Sequence, residues 1–287
     1  MNTFIIAEAG INHNGDIALA HKLIDAAHMT GADAVKFQCF HAARLEAPGE
    51  RRDMLRPLEM TGEQFEALKK YCGTRIEFMA TPFSLSWLDF LVSLGVKRLK
   101  ISSGHLCDTR MLEAAGDTNL PIVLSTGMGD VDAIHEAVGA LGFERPPDME
   151  SPFPTPGLRK GRLTLLHCTS SYPTPAEDVN LLAIDRMNAR FGCPVGLSDH
   201  SLSTVIPVAA VARGATVIEK HITLDRSMKG PDHAASLEPH DFKRMVEGIR
   251  EVEKAMGDGI KRPMPSEART IDIIKERRSW NGRNIAA

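Results

Sequence analysis

The sequence predicts a (β/α)8 TIM barrel of the α/β class, and three features of its patterning lead there. Eight short β-rich apolar runs recur along the chain. Longer stretches of helical period separate them, and polar residues cluster directly after the runs. The length of 287 residues, 43% hydrophobic and 25% charged, matches one barrel of about 250 residues plus a tail. The expected organisation is therefore a barrel over residues 1–258 and a C-terminal tail over 259–287.

The runs are Phe4–Ala7, Ala34–Phe37, Ile76–Met79, Arg98–Ile101, Ile122–Leu124, Leu163–Leu166, Pro194–Leu197 and Thr216–Ile218. After the first, Asp16 is placed to cap a helix whose apolar positions Ile17, Ala20, Leu23, Ile24 and Ala27 share one face. Thr61-Gly-Glu-Gln64 reads as a capping box opening a helix with Phe65, Leu68 and Tyr71 at helical intervals. Further helices are expected over Leu85–Leu94, Asp108–Gly116, Asp130–Leu141, Leu181–Phe191, Ser201–Arg213 and Pro239–Met256. The segment from Pro146 to Pro156 carries too many prolines for a helix or a central strand, and reads as an exposed excursion before the sixth strand.

Composition excludes several classes. A net charge of −3 gives no basic field for nucleic acid, so an anionic substrate must be held by a few local cations. Five cysteines at scattered positions, without paired metal-ligand spacing, read as reduced thiols of a cytoplasmic protein. The N-terminus has no cationic leader with a long apolar stretch, and no segment is long and apolar enough to span a bilayer. The chain is expected in the cytoplasm, away from membranes.

Barrel enzymes build their sites at the C-terminal ends of the strands, which makes the polar residues there the candidates. They are Glu8; Lys36 and Gln38; Thr81; Lys100, Ser102 and Ser103; Ser125 and Thr126; His167, Thr169 and Ser170; Ser198, Asp199 and His200; and Glu219, Lys220 and His221. His200 and His221 follow neighbouring runs. On adjacent parallel strands, both imidazoles would emerge at one end of the sheet as half of a divalent-metal site with open positions for substrate. Asp199 is a candidate to orient such a ligand.

Several phrases, in order, carry a more specific signal. Ile5-Ile-Ala-Glu-Ala-Gly-Ile-Asn-His-Asn-Gly15, Val35-Lys-Phe-Gln38, Ala80-Thr-Pro-Phe83, Leu124-Ser-Thr-Gly-Met128, Leu166-His-Cys-Thr-Ser-Ser-Tyr-Pro-Thr-Pro175, Gly196-Leu-Ser-Asp-His200 and Glu219-Lys-His-Ile-Thr223 resemble the N-acetylneuraminate (sialic acid) synthase family. The resemblance spans roughly residues 4–260. It implies a barrel that condenses phosphoenolpyruvate with an aldehyde sugar, releasing phosphate and making a nonulosonic acid. It further implies a divalent metal, typically Mn2+ with Mg2+ or Co2+ as alternatives, on the histidines at 200 and 221. Lys36, Thr81, Lys100, Ser103, Ser125, Ser170 and Ser198 match positions around phosphoenolpyruvate. Glu8 matches a carboxylate between the substrates, and Tyr172 and Asp232 match positions near the sugar. Gln38, Phe83 and His105 complete the expected substrate contacts.

These residue types suit that chemistry. Phosphoenolpyruvate carries a carboxylate and a phosphate, so two lysines can compensate its charge while hydroxyls orient it. The metal would polarise the sugar aldehyde, and Glu8 would handle the proton of the attacking water.

The chain departs from the family pattern in three places. His105 stands where a sugar-binding carboxylate is usual, Ser170 replaces an amide, and the chain ends at Ala287 where family members continue into a small antifreeze-like domain. An imidazole cannot accept hydrogen bonds from two sugar hydroxyls as a carboxylate does, so a different aldose pattern is expected. The resemblance implies a homodimer, and without a cap domain a separate lid-supplying protein is an alternative. Two other functions compete: a Schiff-base aldolase using Lys100 or Lys220, and a non-catalytic sugar-binding or assembly subunit.

Overall fold

The structure, a computed structural model, describes residues 2–143 and 162–280. It divides into two units, Met1–Glu253 and Lys254–Ala287. The prolines from Pro146 to Pro156 lie outside the described residues.

The first unit is a curled sheet of eight parallel strands, with helices on the connections between them. The strands are β1 (Phe4–Gly10), β2 (Ala34–Cys39), β3 (Glu77–Pro82), β4 (Leu99–Ile101), β5 (Ile122–Ser125), β6 (Leu163–Cys168), β7 (Val195–Asp199) and β8 (Val217–His221). Their hydrogen-bonded order is β3-β2-β1-β8-β7-β6-β5-β4, and the two ends, β3 and β4, lie side by side. Every pair is parallel. Strands covered on both faces read as near-continuous apolar runs, which is why β1 and β5 are detectable in the sequence without an alternating pattern.

The described helices are α1 (Ile17–Met29), α2 (Ala42–Leu45), α3 (Glu50–Leu55), α4 (Gly62–Cys72), α5 (Leu85–Leu94), α6 (Thr109–Asp117), α7 (Val131–Ala140), α8 (Leu182–Phe191), α9 (Val205–Ala212), α10 (Pro239–Ala255) and α11 (Ala268–Trp280). Local hydrogen bonds explain several starts. Asp16 accepts from the Ala18 amide at 2.7 Å, and Thr61 and Gln64 form the reciprocal capping box expected of them. Asp108 and Asp130 accept from the amides three residues on. The helix expected over Ser201–Arg213 begins only at Val205. Short side chains claim the intervening amides: Asp199 takes that of Ser201, Ser201 that of Ser203, and Ser203 those of Val205 and Ile206. Helices α2 and α3 fill a β2–α4 connection that the sequence reading left unassigned.

Two apolar layers result from the period of two along each strand. Outward residues such as Ile5, Val35, Leu99, Leu124 and Leu165 join the helices in the main core. Inward residues Ile6, Ala34, Met79, Val123, Leu166 and Val217 form a smaller plug inside the barrel, with Phe4 packed against it. This plug is the floor on which the polar end of the barrel rests.

The second unit contains a short 3-10 turn, Pro265–Glu267, leading into α11, and an ion pair at 2.7 Å between Arg262 and Asp258. Its described side chains are exposed apart from half-buried Ile271. No described helix is long and apolar enough to cross a membrane.

Gly196 shows how tightly the barrel interior is closed: a Cβ there would sit 2.3 Å from the Val217 carbonyl oxygen and 2.7 Å from Leu166 Cδ2. Backbone cannot give way cheaply, so Gly196→Ala is expected to lower the unfolding free energy by about 1–3 kcal/mol. Urea denaturation of the two proteins checks this, and equal midpoints would contradict it.

Candidate active site

Register sets which polar side chains meet. Glu8 pairs with Lys36 on one side and with His221 on the other, Gln38 pairs with Thr81, and Cys168 pairs with Ser198. Parallel partners share a face, so these side chains point into the barrel above the apolar plug.

Four charges occupy the centre, all but excluded from solvent. Lys36 Nζ lies 2.6 Å from Glu8 Oε2 and 3.6 Å from Glu219 Oε2. Lys100 Nζ lies 3.7 Å from Glu219 Oε1. Hydroxyls and an amide complete the set. Lys36 donates to Thr81 Oγ1 at 3.0 Å, Lys100 to Ser125 Oγ at 2.7 Å, Ser198 to Glu219 Oε1 at 2.9 Å and Gln38 to Glu8 Oε1 at 3.0 Å. Two carboxylates and two ammoniums balance, as burial demands: an isolated ion here would cost several kcal/mol.

The balance is uneven in detail. Burial and the neighbouring Glu219 raise the Glu8 carboxyl above its ordinary value, against the pull of Lys36. Burial also opposes ionisation of Glu219, but Lys100, Lys36 and the Ser198 hydroxyl outweigh it and hold this carboxyl low. Lys36 is raised because its two carboxylate neighbours overcome burial. Lys100, with only one close carboxylate, is lowered by burial.

Beside the charges lie the histidines. The His200 and His221 rings have centroids 5.6 Å apart, and Tyr172 stacks on His200 at 4.0 Å while meeting His221 edge-on at 5.9 Å. Although stacked there, Tyr172 is 54% exposed and forms the solvent-facing wall. His200 Nδ1 donates to the Thr169 carbonyl at 2.8 Å, which leaves Nε2 with its lone pair free. His221 Nδ1 is buried without a hydrogen bond, 3.8 Å from Asp232 Oδ2. Burial pushes His221 down to about 4, so this ring is neutral at physiological pH. Burial opposes protonation of His200 too, but the contacts with Cys168 and the Thr169 carbonyl raise it. No cluster of three or more His, Cys, Asp or Glu side chains suited to a metal exists among the described residues. Two neighbouring imidazoles, one with a buried and unbonded Nδ1, are nitrogen donors of the kind a divalent cation accepts.

A third group gathers at the β5–α7 turn. The Gly127 amide donates to Ser103 Oγ at 2.9 Å, and Ser103 in turn contacts Cys168 Sγ at 3.7 Å. A Cβ on Gly127 would meet Ser170 Oγ at 2.3 Å and Ser103 Oγ at 2.9 Å. Only glycine therefore lets backbone and two serine hydroxyls converge.

Most of the residues expected at the site meet around this centre: Glu8, Lys36, Gln38, Thr81, Lys100, Ser103, Ser125, Ser170, Tyr172, Ser198, His200, His221 and Asp232. Phe83 and His105 have contacts of their own. Their rings lie 5.8 Å from each other, Phe83 packs edge-on to Phe40, and His105 Nδ1 is 3.1 Å from Asp108 Oδ2.

Parity corrects the expectations for Asp199 and Lys220 at the rim, and gives His167 a hydrogen-bonding role in the interior. His167, Asp199 and Lys220 alternate with the inward set and face the helices. His167 is bonded to the Val179 carbonyl at 2.6 Å. Asp199 does not touch an imidazole: its carboxylate is taken by Lys220 at 2.5 Å and by Ser201. Lys220 is wholly buried in that pair on the wrong face for a Schiff-base lysine. Conversely, Glu219, named only as one of the polar residues after a strand and given no role, belongs at the centre. Its position two before His221 was the available signal. Cys168, one of the five scattered cysteines and given no site role, lines the site against Ser103 and His200.

Known proteins resemble this chain over most of its length. The NeuB family model matches residues 23–261. The chain belongs to the NeuB family. It is 43% identical over 283 residues to the N,N'-diacetyllegionaminic acid synthase of Legionella pneumophila, covering 93% of this chain and 77% of that one. It is 35% identical to human N-acetylneuraminate-9-phosphate synthase over 92% of this chain and 74% of that one. Among solved structures, the N-acetylneuraminic acid (sialic acid) synthetase of Leptospira borgpetersenii, crystallised with citrate, superposes with a TM-score of 0.85 at 37% identity. That match covers 99% of this chain and 94% of that one. A truncated 3-deoxy-D-arabino-heptulosonate 7-phosphate synthase of Thermotoga maritima shares the fold at 14% identity and a TM-score of 0.65.

The electrostatics of Glu219 are testable. Its folded value is depressed, so its contribution to stability is complete above the ordinary carboxylate value of 4.5 and is lost as pH falls below it. Glu219→Gln is expected to be less stable at pH 7, with a shallower loss of stability on acidification than the wild type. Denaturant titrations between pH 7 and pH 3 measure both slopes, and parallel slopes would contradict the assignment.

Proposed function

We propose that this protein condenses phosphoenolpyruvate with an N-acylated aldehyde sugar, giving a nonulosonic 3-deoxy-2-keto sugar acid and inorganic phosphate. The observation that carries the reading is the charge-balanced cluster of Glu8, Lys36, Lys100 and Glu219 beside the paired imidazoles, in a NeuB-family barrel. Relatives named N,N'-diacetyllegionaminic acid synthase, at 43% and 42% identity, favour a diacylated amino sugar as the aldehyde. His105, held by Asp108 where the resemblance leads one to expect a carboxylate, fits a sugar with fewer hydroxyls to bind at that end.

Residue by residue, the chemistry follows from the geometry. Phosphoenolpyruvate presents two anionic ends, and Lys36 and Lys100 are the inward-facing cations of the site. Ser125, Ser103, Ser170 and Thr81 supply short hydroxyls at the same rim, fixing the enol ester without filling the space the aldehyde needs. A divalent metal on His200 and His221, Mn2+ in our reading, would supply Lewis-acid polarisation of the aldehyde oxygen. Tyr172 and Asp232 border the histidines on the solvent side, where the sugar enters. The enol carbon forms the new bond to the aldehyde carbon, leaving positive charge at the carbon that bears the phosphate ester. Water adds there, and the carboxylate of Glu8 takes its proton. The C–O bond to phosphate then breaks, the new hydroxyl giving its proton to the departing phosphate and becoming the ketone, while Glu8 passes the proton it took to the alkoxide oxygen of the former aldehyde. Glu8 suits this role because burial and Glu219 make it a stronger base than a free carboxylate, while Gln38 and Lys36 hold its orientation.

Phosphate release from the metal-loaded protein should require both phosphoenolpyruvate and the aldose, with mass spectrometry showing a sugar extended by three carbons. Release with either compound alone would reject the condensation. His221→Ala and chelation are each expected to abolish turnover, and full turnover in metal-free protein would remove the metal from the reading.

Lys100→Met should raise KM for phosphoenolpyruvate by about tenfold to a hundredfold, the effect of losing one charge-assisted contact. The competing Schiff-base aldolase now rests on Lys100 alone, since Lys220 faces away from the barrel interior. Borohydride in the presence of substrate is expected to leave no covalent adduct, and an adduct on Lys100 would favour the aldolase.

A further inference from the structure

We propose that the buried ion pair of Lys220 and Asp199 is a positioning device that fixes the relative placement of the His200 and His221 imidazoles. The proposal rests on reading those rings as a cation-binding pair. Asp199 and Lys220 are register partners on β7 and β8, each immediately preceding one of the histidines. Both point away from the barrel lumen, between sheet and helices, where Lys220 is 0% exposed.

The connections run around His200. Asp199 Oδ1 accepts from the Ser201 amide at 2.9 Å, and Oδ2 accepts from the Ser201 hydroxyl at 3.0 Å. The carboxylate thus spans residue 200 and closes a tight turn with His200 at its middle. Lys220 Nζ donates to Asp199 Oδ2 at 2.5 Å and also to the Ser201 carbonyl. One ammonium therefore grips both ends of the turn that carries His200, and its own backbone leads directly into His221. On the other side, the Thr169 carbonyl holds the His200 ring and the Thr174 amide donates to the His200 carbonyl at 3.1 Å.

Stability alone does not call for ions here, because apolar residues of similar volume would fill the space about as well. Hydrocarbon has no directional bonds, however, and would leave the 199–201 turn free to choose other arrangements. What the ion pair contributes is a single register between two strand ends whose side chains must converge on one point. Groups that orient metal ligands from behind change metal affinity without touching the metal.

The test compares the full chain with the double variant Asp199→Asn, Lys220→Met, which removes both charges so that neither is stranded. Two readouts are taken: the Mn2+ dissociation constant by calorimetry, and solvent exchange of the His200 Nδ1 proton by NMR in metal-free protein. The folded variant is expected to bind Mn2+ roughly 10–100-fold more weakly and to lose protection of that ring proton. A ring proton as protected as in the wild type overturns the proposal, and so does wild-type Mn2+ affinity. If the wild type itself binds no Mn2+, the metal reading fails and the NMR comparison alone decides the positioning role. Should the double variant not fold, Ser201→Ala removes one bridging hydroxyl and is measured in the same way. It is expected to weaken Mn2+ binding by roughly fivefold, the effect of one hydrogen bond, and to speed exchange of the ring proton. No change in either would equally overturn the proposal.

Discussion

The structure depends on the mutual neutralisation of two carboxylates and two ammoniums sealed in the mouth of the barrel. Removed from water, none of the four is tolerable singly. Lys36 and Lys100 both face into the barrel beside the two carboxylates. The consequence for chemistry is an asymmetry. Glu219, gripped by both lysines and by Ser198, is held as an anion, whereas Glu8 is biased toward taking a proton. Two carboxylates that share Lys36 thereby acquire opposite tendencies, Glu219 to stay ionised and Glu8 to take a proton.

Below the cluster, the plug of Ile6, Ala34, Met79, Val123, Leu166 and Val217 supplies the low-polarity floor that gives these interactions their strength. Gly196 permits that floor by letting β7 approach Leu166 and Val217 closely. Around it, the alternation of strand residues sorts every polar side chain at the rim into one of two populations. Those facing inward, Glu8, Lys36, Lys100, Ser198, Glu219 and His221, share the cluster. Those facing outward, His167, Asp199 and Lys220, tie strand ends to loops and helices. In the second population Asp199 and Lys220 are as buried as the first and bond to each other and to Ser201, while half-buried His167 bonds to the Val179 carbonyl. It supports the geometry from behind, and the two populations meet at the adjacent residues 199–200 and 220–221.

Much of this was legible in the sequence. The barrel, its strand positions, the Asp16 cap and the Thr61 capping box follow from apolar period and from side chains able to bond nearby amides, which are local properties. Of the residues matched to substrate and metal positions, those at strand ends meet at the centre because parallel strands converge there, and Ser103, Ser170, Tyr172 and Asp232 reach it from the connections, whereas Phe83 and His105 have partners of their own. The exceptions have local reasons. Phe83 found an aromatic partner in Phe40, and His105 found a carboxylate three residues on in Asp108. The late start of α9 was hidden because Asp199, Ser201 and Ser203 satisfy amides that a helical period alone assigns to the helix.

By itself the sequence determined the fold class and which strand ends carry polar groups. Both are written in periodicity and composition, which need no knowledge of distant neighbours. Only the tertiary structure decided which of those groups face one another. Whether Glu219 or Lys220 points into the barrel turns on a single residue of register, and the pairings of Lys36 with Glu8 and of Lys100 with Glu219 join residues that become neighbours only when the sheet closes upon itself. Charge balance in a buried site is a property of that closed ring, and a linear chain does not contain it.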